Sequence, residues 1–164
     1  MKKFSLITLI ALAVFVIAPA AARAQSGAKQ GPEVVRDADM EKDSLHNLEV
    51  ARQYFNLRKA YVASLERCEE IIAGNPSFSK IDEALFIAGK SNLYLADGKG
   101  KQKPSAYVRH EGQKAITLTA EQFRDEARAY FSQLVNGYPE SRFKDAALED
   151  LKLLGGPKPK DSKQ

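Results

Sequence analysis

The sequence contains little of what covalent or metal-centred chemistry needs. Its 164 residues include one cysteine, two histidines and no tryptophan. A single cysteine excludes an intrachain disulfide and any zinc site built from several cysteines. His46 and His110 have no partners at metal-ligand spacing, and residues 98–101 lack the spacing and the hydroxyl residue of a phosphate-binding loop. The sequence therefore predicts a protein that is not an enzyme and that binds no metal or cofactor.

Cys68 is the residue for which a thiol function has to be considered. It lies one helical turn from Leu65 and Ile71, on the apolar stripe of a predicted helix. A buried cysteine behaves as a small hydrophobic residue, and we expect that role here. The alternative is a reactive thiol that reagents label in the folded protein. His110 and Glu111 are adjacent in a predicted loop, and because adjacent side chains point in different directions we expect no joint acid–base chemistry.

A charge excess is also missing once the N-terminal segment is set aside. The formal net charge of +4 comes from 25 Lys and Arg against 21 Asp and Glu. Residues 1–24 hold three of those cations and no acid, which leaves 22 basic and 21 acidic residues. We therefore expect no nucleic-acid partner. The loop lysines Lys99, Lys101 and Lys103 allow weak contact with an anionic membrane surface or an acidic partner; the alternative is a solvated loop whose attraction is screened by salt.

The one long apolar run stands at the N-terminus. It extends from Phe4 to Ala18, behind two lysines and ahead of Ala22-Arg23-Ala24. About 15 apolar residues are fewer than the roughly 20 that a membrane-spanning helix needs, and the arrangement is typical of a cleaved secretory signal. We predict a signal peptide over residues 1–24, with an uncleaved anchor as the alternative. Since no cysteine lies near the cleavage site, we expect no lipid anchor at the mature N-terminus.

The remainder is predicted to be helical, without an alternating strand pattern. Residues 25–37 indicate a flexible tether, 38–154 a helical domain and 155–164 a disordered tail. Helices are predicted over about 39–57, 60–73 and 79–96, from Thr119 to Gly137, and from Ser141 to about Leu154. Thr119 and Gln122 have capping-box spacing. The side chains predicted to face inward are Leu45, Leu48, Ala51, Phe55, Tyr61, Ser64, Leu65, Cys68, Ile71, Ile72, Ile81, Leu85, Ala88, Leu95, Phe123, Ala127, Tyr130, Phe131, Leu134, Phe143, Ala147, Leu151 and Leu154. On the second helix, Glu66, Arg67, Glu69 and Glu70 are predicted to face solvent.

Internal similarity divides this helical region into repeats. Ile71-Ile72 precedes Pro76 as Leu134-Val135 precedes Pro139, and an alanine follows each proline by the same interval. This resembles the tetratricopeptide repeat, a helix–turn–helix unit of about 34 residues, with Gly89 at its small helix-crossing position. Because Gly89 and Pro139 are too far apart for one repeat, an insertion is implied over about 97–118. Within it, Tyr107, Val108, Ile116 and Leu118 are expected to pack on the helices or to meet a partner.

Two segments narrow the resemblance. Residues 136–143, followed by Ala146-Ala147, are similar to the junction between repeats in the BamD (YfiO)/CpoB superfamily of bacterial envelope proteins, and residues 51–64 resemble the first repeat of BamD. The chain departs from BamD in having no lipobox cysteine and about two and a half repeats in place of five. The resemblance implies an all-α fold, a short helical-repeat (TPR-like) solenoid of about five helices with a long insertion, and a periplasmic location.

The function expected from this resemblance is a non-enzymatic periplasmic scaffold for protein–protein interaction, in outer-membrane protein assembly or envelope maintenance. Its partner would be an extended peptide or a helix of an envelope protein, and self-association is also expected of so few repeats. The predicted partner-binding residues are Gln53, Asn56, Lys90 and Asn92 on the first helices, with Lys99, Lys101 and Lys103 in the insertion. The alternative is a peptidoglycan-associated accessory factor in cell-wall remodelling or division, which needs aromatic side chains on exposed faces.

Overall fold

A computed structural model describes residues 37–158, all of which belong to the compact unit Val34–Gln164. The predicted signal peptide, most of the predicted tether and residues 159–164 lie outside the described residues. The five helices are α1 (Ala38–Arg52), α2 (Tyr61–Gly74), α3 (Ile81–Ala96), α4 (Ala120–Gly137) and α5 (Lys144–Leu153), and α1 continues as a π-helical turn, Gln53–Arg58. The predicted all-α fold is confirmed. No helix between residues 37 and 158 has both the length and the apolar character that crossing a membrane requires.

The segment between α3 and α4 contains the short elements that sequence patterning missed. A 3-10 turn, Pro104–Ala106, precedes a hairpin of β1 (Arg109–Glu111) and β2 (Lys114–Ile116). The strands are antiparallel, with Arg109 opposite Ile116, and Gly112 has the positive φ of 62° that a tight turn favours. Sequence patterning did not indicate this hairpin, because three residues are too few to display alternation.

Local sequence determines where several helices begin. Asp37 accepts hydrogen bonds from the backbone N–H groups of Asp39 and Met40 at 2.9 and 3.2 Å, and so caps α1. The predicted capping box of α4 is confirmed: Gln122 N–H donates to Thr119 Oγ1 at 3.2 Å, and Thr119 N–H donates to Gln122 Oε1 at 2.8 Å. These caps satisfy backbone donors that have no partner inside the helix.

The helices form two rows, because alternate helices contact each other as well as consecutive ones. In the first row, Arg52 of α1 pairs with Glu83 of α3 at 2.7 Å, and Lys90 of α3 pairs with Asp150 of α5 at 3.0 Å. In the second row, Tyr130 of α4 donates to Glu69 of α2 at 3.1 Å. A stack of helix pairs produces this layering, with first helices on one side and second helices on the other.

The core lies between the two rows and is built largely from the predicted inward residues. Leu48, Leu65, Leu85, Phe123 and Phe131 are all fully buried. Gly89 occupies the predicted crossing of α3 and α4, where a Cβ atom would stand 2.5 Å from Phe131 Cε1.

Two assignments on the helix faces are wrong. Leu45, predicted to face inward, is 39% exposed. Glu69, predicted to face solvent, lies instead in a partly buried cluster with two tyrosines. The environment of Glu69 depends on the insertion and on α4, which helical periodicity within α2 does not reveal.

The chain after α5 folds back on α4. Arg128 donates from Nε to the carbonyl oxygen of Gly156 at 2.6 Å, and Lys158 N–H donates to Ser132 Oγ at 2.8 Å. Residues 155–158, which the sequence placed in the tail, therefore pack beside α4.

Cys68 should react with a thiol reagent only when the protein unfolds. Its side chain is completely buried, and burial raises the pKa of the thiol, with the charges of Glu69 and Glu83 adding to that effect. Because the thiolate is the reactive form, we expect labelling by a disulfide reagent to be slow in buffer and rapid in denaturant. Stoichiometric labelling of the native protein within seconds would contradict this and favour the reactive thiol.

Candidate partner-binding site

An aromatic cluster joins three helix ends at one end of the domain. The rings of Phe55, Tyr61 and Tyr94 lie with centroids 4.7–5.6 Å apart, and Phe55 stacks on Tyr94 at an angle of 23°. Phe55 comes from the π-helical turn, Tyr61 from the start of α2 and Tyr94 from the last turn of α3. Contacts between such rings stabilise beyond the area they bury, by about 0.5–1.5 kcal/mol each. The cluster therefore fixes the surface that these three ends form.

Cations surround this aromatic cluster. The Nζ atoms of Lys90 and Lys99 stand 5.7 and 5.5 Å from the centroid of the Tyr94 ring. The guanidinium of Arg58 lies 5.4 Å from the Tyr54 centroid. These separations are within the range of cation–π attraction, which is worth about 0.5–1 kcal/mol at exposed sites. A lysine from α3 and a lysine from the insertion thus both lie close to the Tyr94 ring.

An unusual backbone conformation brings the π-helical turn against the insertion. Lys59 is left-handed, with φ of 53°, and it is the only non-glycine residue between 37 and 158 with a positive φ. Lys101 N–H donates to the carbonyl oxygen of Lys59 at 2.9 Å. A Cβ on Gly100, whose φ is 95°, would stand 2.6 Å from that same oxygen. The two basic segments are therefore held in direct backbone contact.

We call the resulting surface the basic end, defined as Arg58, Lys59, Asp97, Lys99, Lys101 and Lys103. Five cations and one carboxylate give it a net charge of +4, whereas the rest of residues 37–158 holds 13 cations and 18 carboxylates, a net charge of −5. Asp97 pairs with Lys99 at 3.0 Å and with Arg124 at 3.2 Å. The hydrogen bond from Lys99, followed by its charge and by Arg124, holds the pKa of Asp97 below its usual value. The domain is thus near-neutral overall but strongly polarised.

Gln102 attaches the insertion to α2. Its Oε1 accepts a hydrogen bond from the backbone N–H of Ala63 at 3.1 Å, in the first turn of α2. The residue before that helix, Ala60, has no side chain able to cap it. A residue 39 positions away therefore supplies the cap, and the start of α2 and the basic loop are fixed together.

The predicted partner-binding residues fall into two groups. Gln53 and Asn56 are exposed on the π-helical turn, and Lys90, Lys99, Lys101 and Lys103 lie around the aromatic cluster or on the basic end. Asn92 differs, because it is only 1% exposed and its amide donates to the carbonyl oxygen of Ala88 at 2.9 Å. The structure therefore brings Lys90 and Lys99 together beside Tyr94, joins Lys101 to the end of the turn that carries Asn56, and leaves Asn92 in the core.

Sequence reasoning missed several members of this surface. Leu57, which is 77% exposed, directly precedes Arg58 and Lys59, and Tyr94 lies beneath two cations. Arg58 and Lys59 are consecutive cations at the end of a predicted helix, and they could have indicated this part of the surface. Nothing local indicated that the insertion would return to them, because the bond from Lys101 to Lys59 spans 42 positions.

No family model, no curated protein and no solved structure matches the chain. The resemblance to the tetratricopeptide repeat and to the BamD/CpoB superfamily therefore stays a prediction, and the geometry of the site has to be interpreted from its own residues. Within residues 37–158, no group of three or more His, Cys, Asp or Glu is arranged to hold a metal ion.

A second cluster lies on the opposite row, where the insertion crosses α2 and α4. Tyr107 donates to both carboxylate oxygens of Glu69, at 2.8 and 3.0 Å, and Tyr130 donates to Oε1 at 3.1 Å. Burial raises the pKa of Glu69 and outweighs these hydrogen bonds. Burial and the neighbouring Glu69 charge raise the pKa of Tyr107 to about 12. A cleft of about 460 Å³ opens beside this cluster.

The same cluster fixes the second half of the insertion. Tyr107 and Leu118 are buried and Ile116 is half-buried, as predicted, whereas Val108 is 43% exposed and does not pack inward. Arg109 pairs with Glu126 of α4 at 2.8 Å. The insertion is thus attached to the helices at both ends, through Gln102 and through Tyr107.

Glu69→Gln is expected to stabilise the protein at neutral pH, by up to about 1 kcal/mol. A carboxyl whose pKa is raised in the folded state favours folding more when protonated, so the wild-type protein gains stability from this group as the pH falls through the raised pKa. The amide imitates the protonated form and its oxygen can still accept from both tyrosines. Urea unfolding should be measured at pH 7 and again at a pH below the usual carboxyl pKa. The variant should have the higher free energy of unfolding at pH 7, and this difference should disappear in acid. The control, Glu70→Gln on the exposed side of α2, should change little at either pH.

Lys59→Gly is expected to stabilise the domain by about 0.5–1 kcal/mol, because glycine adopts a left-handed backbone without the steric cost that a Cβ imposes. Lys59→Ala removes the same charge but keeps the Cβ, and should bring no gain. Chemical unfolding of both variants separates the backbone effect from the charge effect. Equal stabilisation by glycine and alanine would show that charge repulsion, not backbone strain, is the cause.

Proposed function

We propose that this protein is a non-enzymatic periplasmic scaffold, similar to tetratricopeptide-repeat proteins, that binds a segment of another envelope protein. The proposal includes a role in outer-membrane protein assembly or envelope maintenance. It rests on one observation above all, the arrangement of alternate helices in two rows, as the ion pairs from α1 to α3 and from α3 to α5 report. Helical-repeat scaffolds use the row of first helices as an extended binding face.

The first row has the surface chemistry that such a role requires. Gln53 and Asn56 offer exposed amide groups for a peptide backbone, and Lys90, paired with Asp150, lies beside the Tyr94 ring. Further along the row, Phe86 of α3 stacks on Phe143 with centroids 4.9 Å apart, and both rings are half-buried. A partner lying across the row would meet half-buried aromatic rings alternating with polar groups, which is a composition typical of protein interfaces.

The peptidoglycan alternative receives less support. Sugar recognition of the kind considered needs aromatic rings on exposed faces, yet each aromatic side chain in residues 37–158 is buried or half-buried. The periplasmic location remains part of the proposal through the predicted signal peptide, whose residues lie outside those described.

The end of the stack suggests where further contacts form. Leu153, on the last helix, is 86% exposed. A solenoid of few repeats needs its ends covered, and we propose that this end meets the larger partner or a second copy. Light scattering after size-exclusion chromatography distinguishes a self-associating protein from a monomer.

Photo-crosslinking in living cells tests the proposed binding face. A photoreactive residue is placed at position 53 or 56 in the first row, and at position 70 or 133 as a matched control, since those are exposed positions on α2 and α4. We expect position-specific adducts with an envelope protein from the first row only. Adducts that are equally strong from both rows, or that form only with cytoplasmic proteins, would contradict the proposal.

A further inference from the structure

We infer that the basic end is a docking surface for an anionic lipid bilayer. This goes beyond the proposed function, which concerns a protein partner on the first row of helices. The inference does not depend on that proposal, because it rests on the charge and exposure of the basic end and on the exposed Leu57 beside it.

The distribution of charge supports a planar anionic partner. The five cations of the basic end come from two segments in backbone contact, joined by the hydrogen bond from Lys101 to Lys59 and by the close approach of Gly100. The rest of residues 37–158 carries a net charge of −5. A molecule polarised in this way approaches an anionic surface with its basic end first, and its acidic remainder stays in solution.

Leu57 distinguishes a bilayer from a purely ionic partner. It is 77% exposed and immediately precedes Arg58 and Lys59 in the chain. An apolar side chain beside cations suits the boundary between lipid headgroups and acyl chains, where the cations bind phosphate and the apolar group is buried. An acidic peptide in water would neutralise the lysines but would leave Leu57 without a reason to be exposed.

The backbone of Lys59 provides a further argument. Glycine would adopt its left-handed conformation at lower cost, yet the position holds a lysine whose side chain is exposed. The turn therefore presents a cation next to Leu57 and Arg58, at a position where the stability of the fold alone would favour glycine. A function for the side chain on the outer surface explains that choice.

The test measures binding to vesicles of phosphatidylglycerol mixed with phosphatidylcholine, and to vesicles of phosphatidylcholine alone. The readout is the ratio of the affinity for anionic vesicles to the affinity for neutral vesicles. This ratio stays valid if the apolar run at residues 4–18 is still attached, because that run would contribute to both affinities. Each lysine near an anionic surface strengthens binding roughly fivefold. Replacing Lys99, Lys101 and Lys103 by glutamine should therefore weaken binding to the anionic vesicles on the order of a hundredfold.

The matched control removes the same number of charges elsewhere. Lys42, Lys114 and Lys152 are exposed, lie outside the basic end and form no ion pair within residues 37–158. Changing these three to glutamine should reduce vesicle binding only slightly. Leu57→Ser should reduce it roughly tenfold while leaving its salt dependence unchanged. Circular dichroism verifies that each variant is folded.

Three results would overturn the inference. Equal losses from both triple variants would mean that only the total charge of the protein matters and not its position. Equal binding to neutral and anionic vesicles would exclude recognition of the headgroup charge. Binding to polyglutamate without binding to anionic vesicles would identify an acidic protein segment as the partner of the basic end.

Discussion

Gly89→Val should prevent the protein from folding. Even the Cβ of an alanine would stand 2.5–2.8 Å from three atoms of the Phe131 ring, closer than carbon atoms approach without displacement. Phe131 of α4 is fully buried, so its ring can move away only by displacing neighbouring core side chains. Overpacking a core typically costs about 1–3 kcal/mol per small insertion, and a branched side chain adds to this. A small domain has only about 5–15 kcal/mol of stability in total.

A graded series separates steric overlap from the ordinary effects of glycine. Gly89→Ala should cost about 1–3 kcal/mol, and Gly74→Ala is the matched control, because it lies at the end of α2 with nothing within 4 Å of its Cβ. Phe131→Ala should cost about 3–5 kcal/mol. Combined with Phe131→Leu, Gly89→Ala should be less harmful than it is alone. Strictly additive free energies of unfolding would show that the two residues do not share one space.

The features that the sequence predicted are those determined within one or two helical turns. Thr119 and Gln122 indicated the start of α4 because a capping box uses residues three positions apart. The apolar spacing identified Leu48, Leu65 and Phe123 because helical periodicity selects one face. Helix bounds fell within a few residues of their prediction for the same reason.

The features that escaped prediction depend on contacts between distant segments. Glu69 was assigned to a solvated face, since its tyrosine partners come from positions 107 and 130. Gln102 caps α2 across 39 positions, and no cap was visible near Ala60. Among the residues of the candidate partner-binding site, the sequence indicated the loop lysines and the amide side chains of the first helix. Only the fold shows that they share a surface with Leu57 and Arg58.

The insertion connects the two functional proposals physically. Through Gln102 and Lys101 it holds the basic end at the start of α2, and through Tyr107 it is fixed to the second row of helices. The binding face proposed for a protein partner lies on the first row. Its residues Gln53 and Asn56 belong to the same π-helical turn as Arg58, so the two proposed surfaces adjoin there.

Glu83→Gln is expected to destabilise the protein by about 2–3 kcal/mol and to loosen the first row. Glu83 receives two hydrogen bonds of 2.7 Å from Arg52 and a third of 3.3 Å from Arg142, so it connects α1, α3 and the turn before α5. An amide cannot pair with both arginines as the carboxylate does, and it leaves Arg142 without its carboxylate and Arg52 with the more exposed Glu49. The expected cost is below that of a fully buried pair, because the Arg52 side chain is 29% exposed.

The loss of unfolding free energy caused by Glu83→Gln should become smaller as the pH falls. Burial acts to raise the pKa of Glu83, but the hydrogen bonds and charges of Arg52 and Arg142 together outweigh it, so the pKa is lowered. A carboxyl with a lowered pKa stabilises the fold above its unfolded value, near 4.3, and loses that effect as the pH falls through the folded value. The difference in unfolding free energy between wild type and Glu83→Gln should therefore be full at pH 7 and shrink below about pH 4.

Glu49→Gln is the matched control for this experiment. Glu49 pairs with the same arginine at 3.2 Å, but its side chain is mostly exposed, and such pairs contribute about 0.5 kcal/mol or less. Arg52→Lys should lose most of the Glu83 contribution, because an ammonium group cannot bind both carboxylate oxygens as a guanidinium does. Equal losses from Glu49→Gln and Glu83→Gln would refute the role of Glu83. If Glu83 holds the first row together, its variant should also lose the crosslinks from positions 53 and 56 while those from positions 70 and 133 are unchanged.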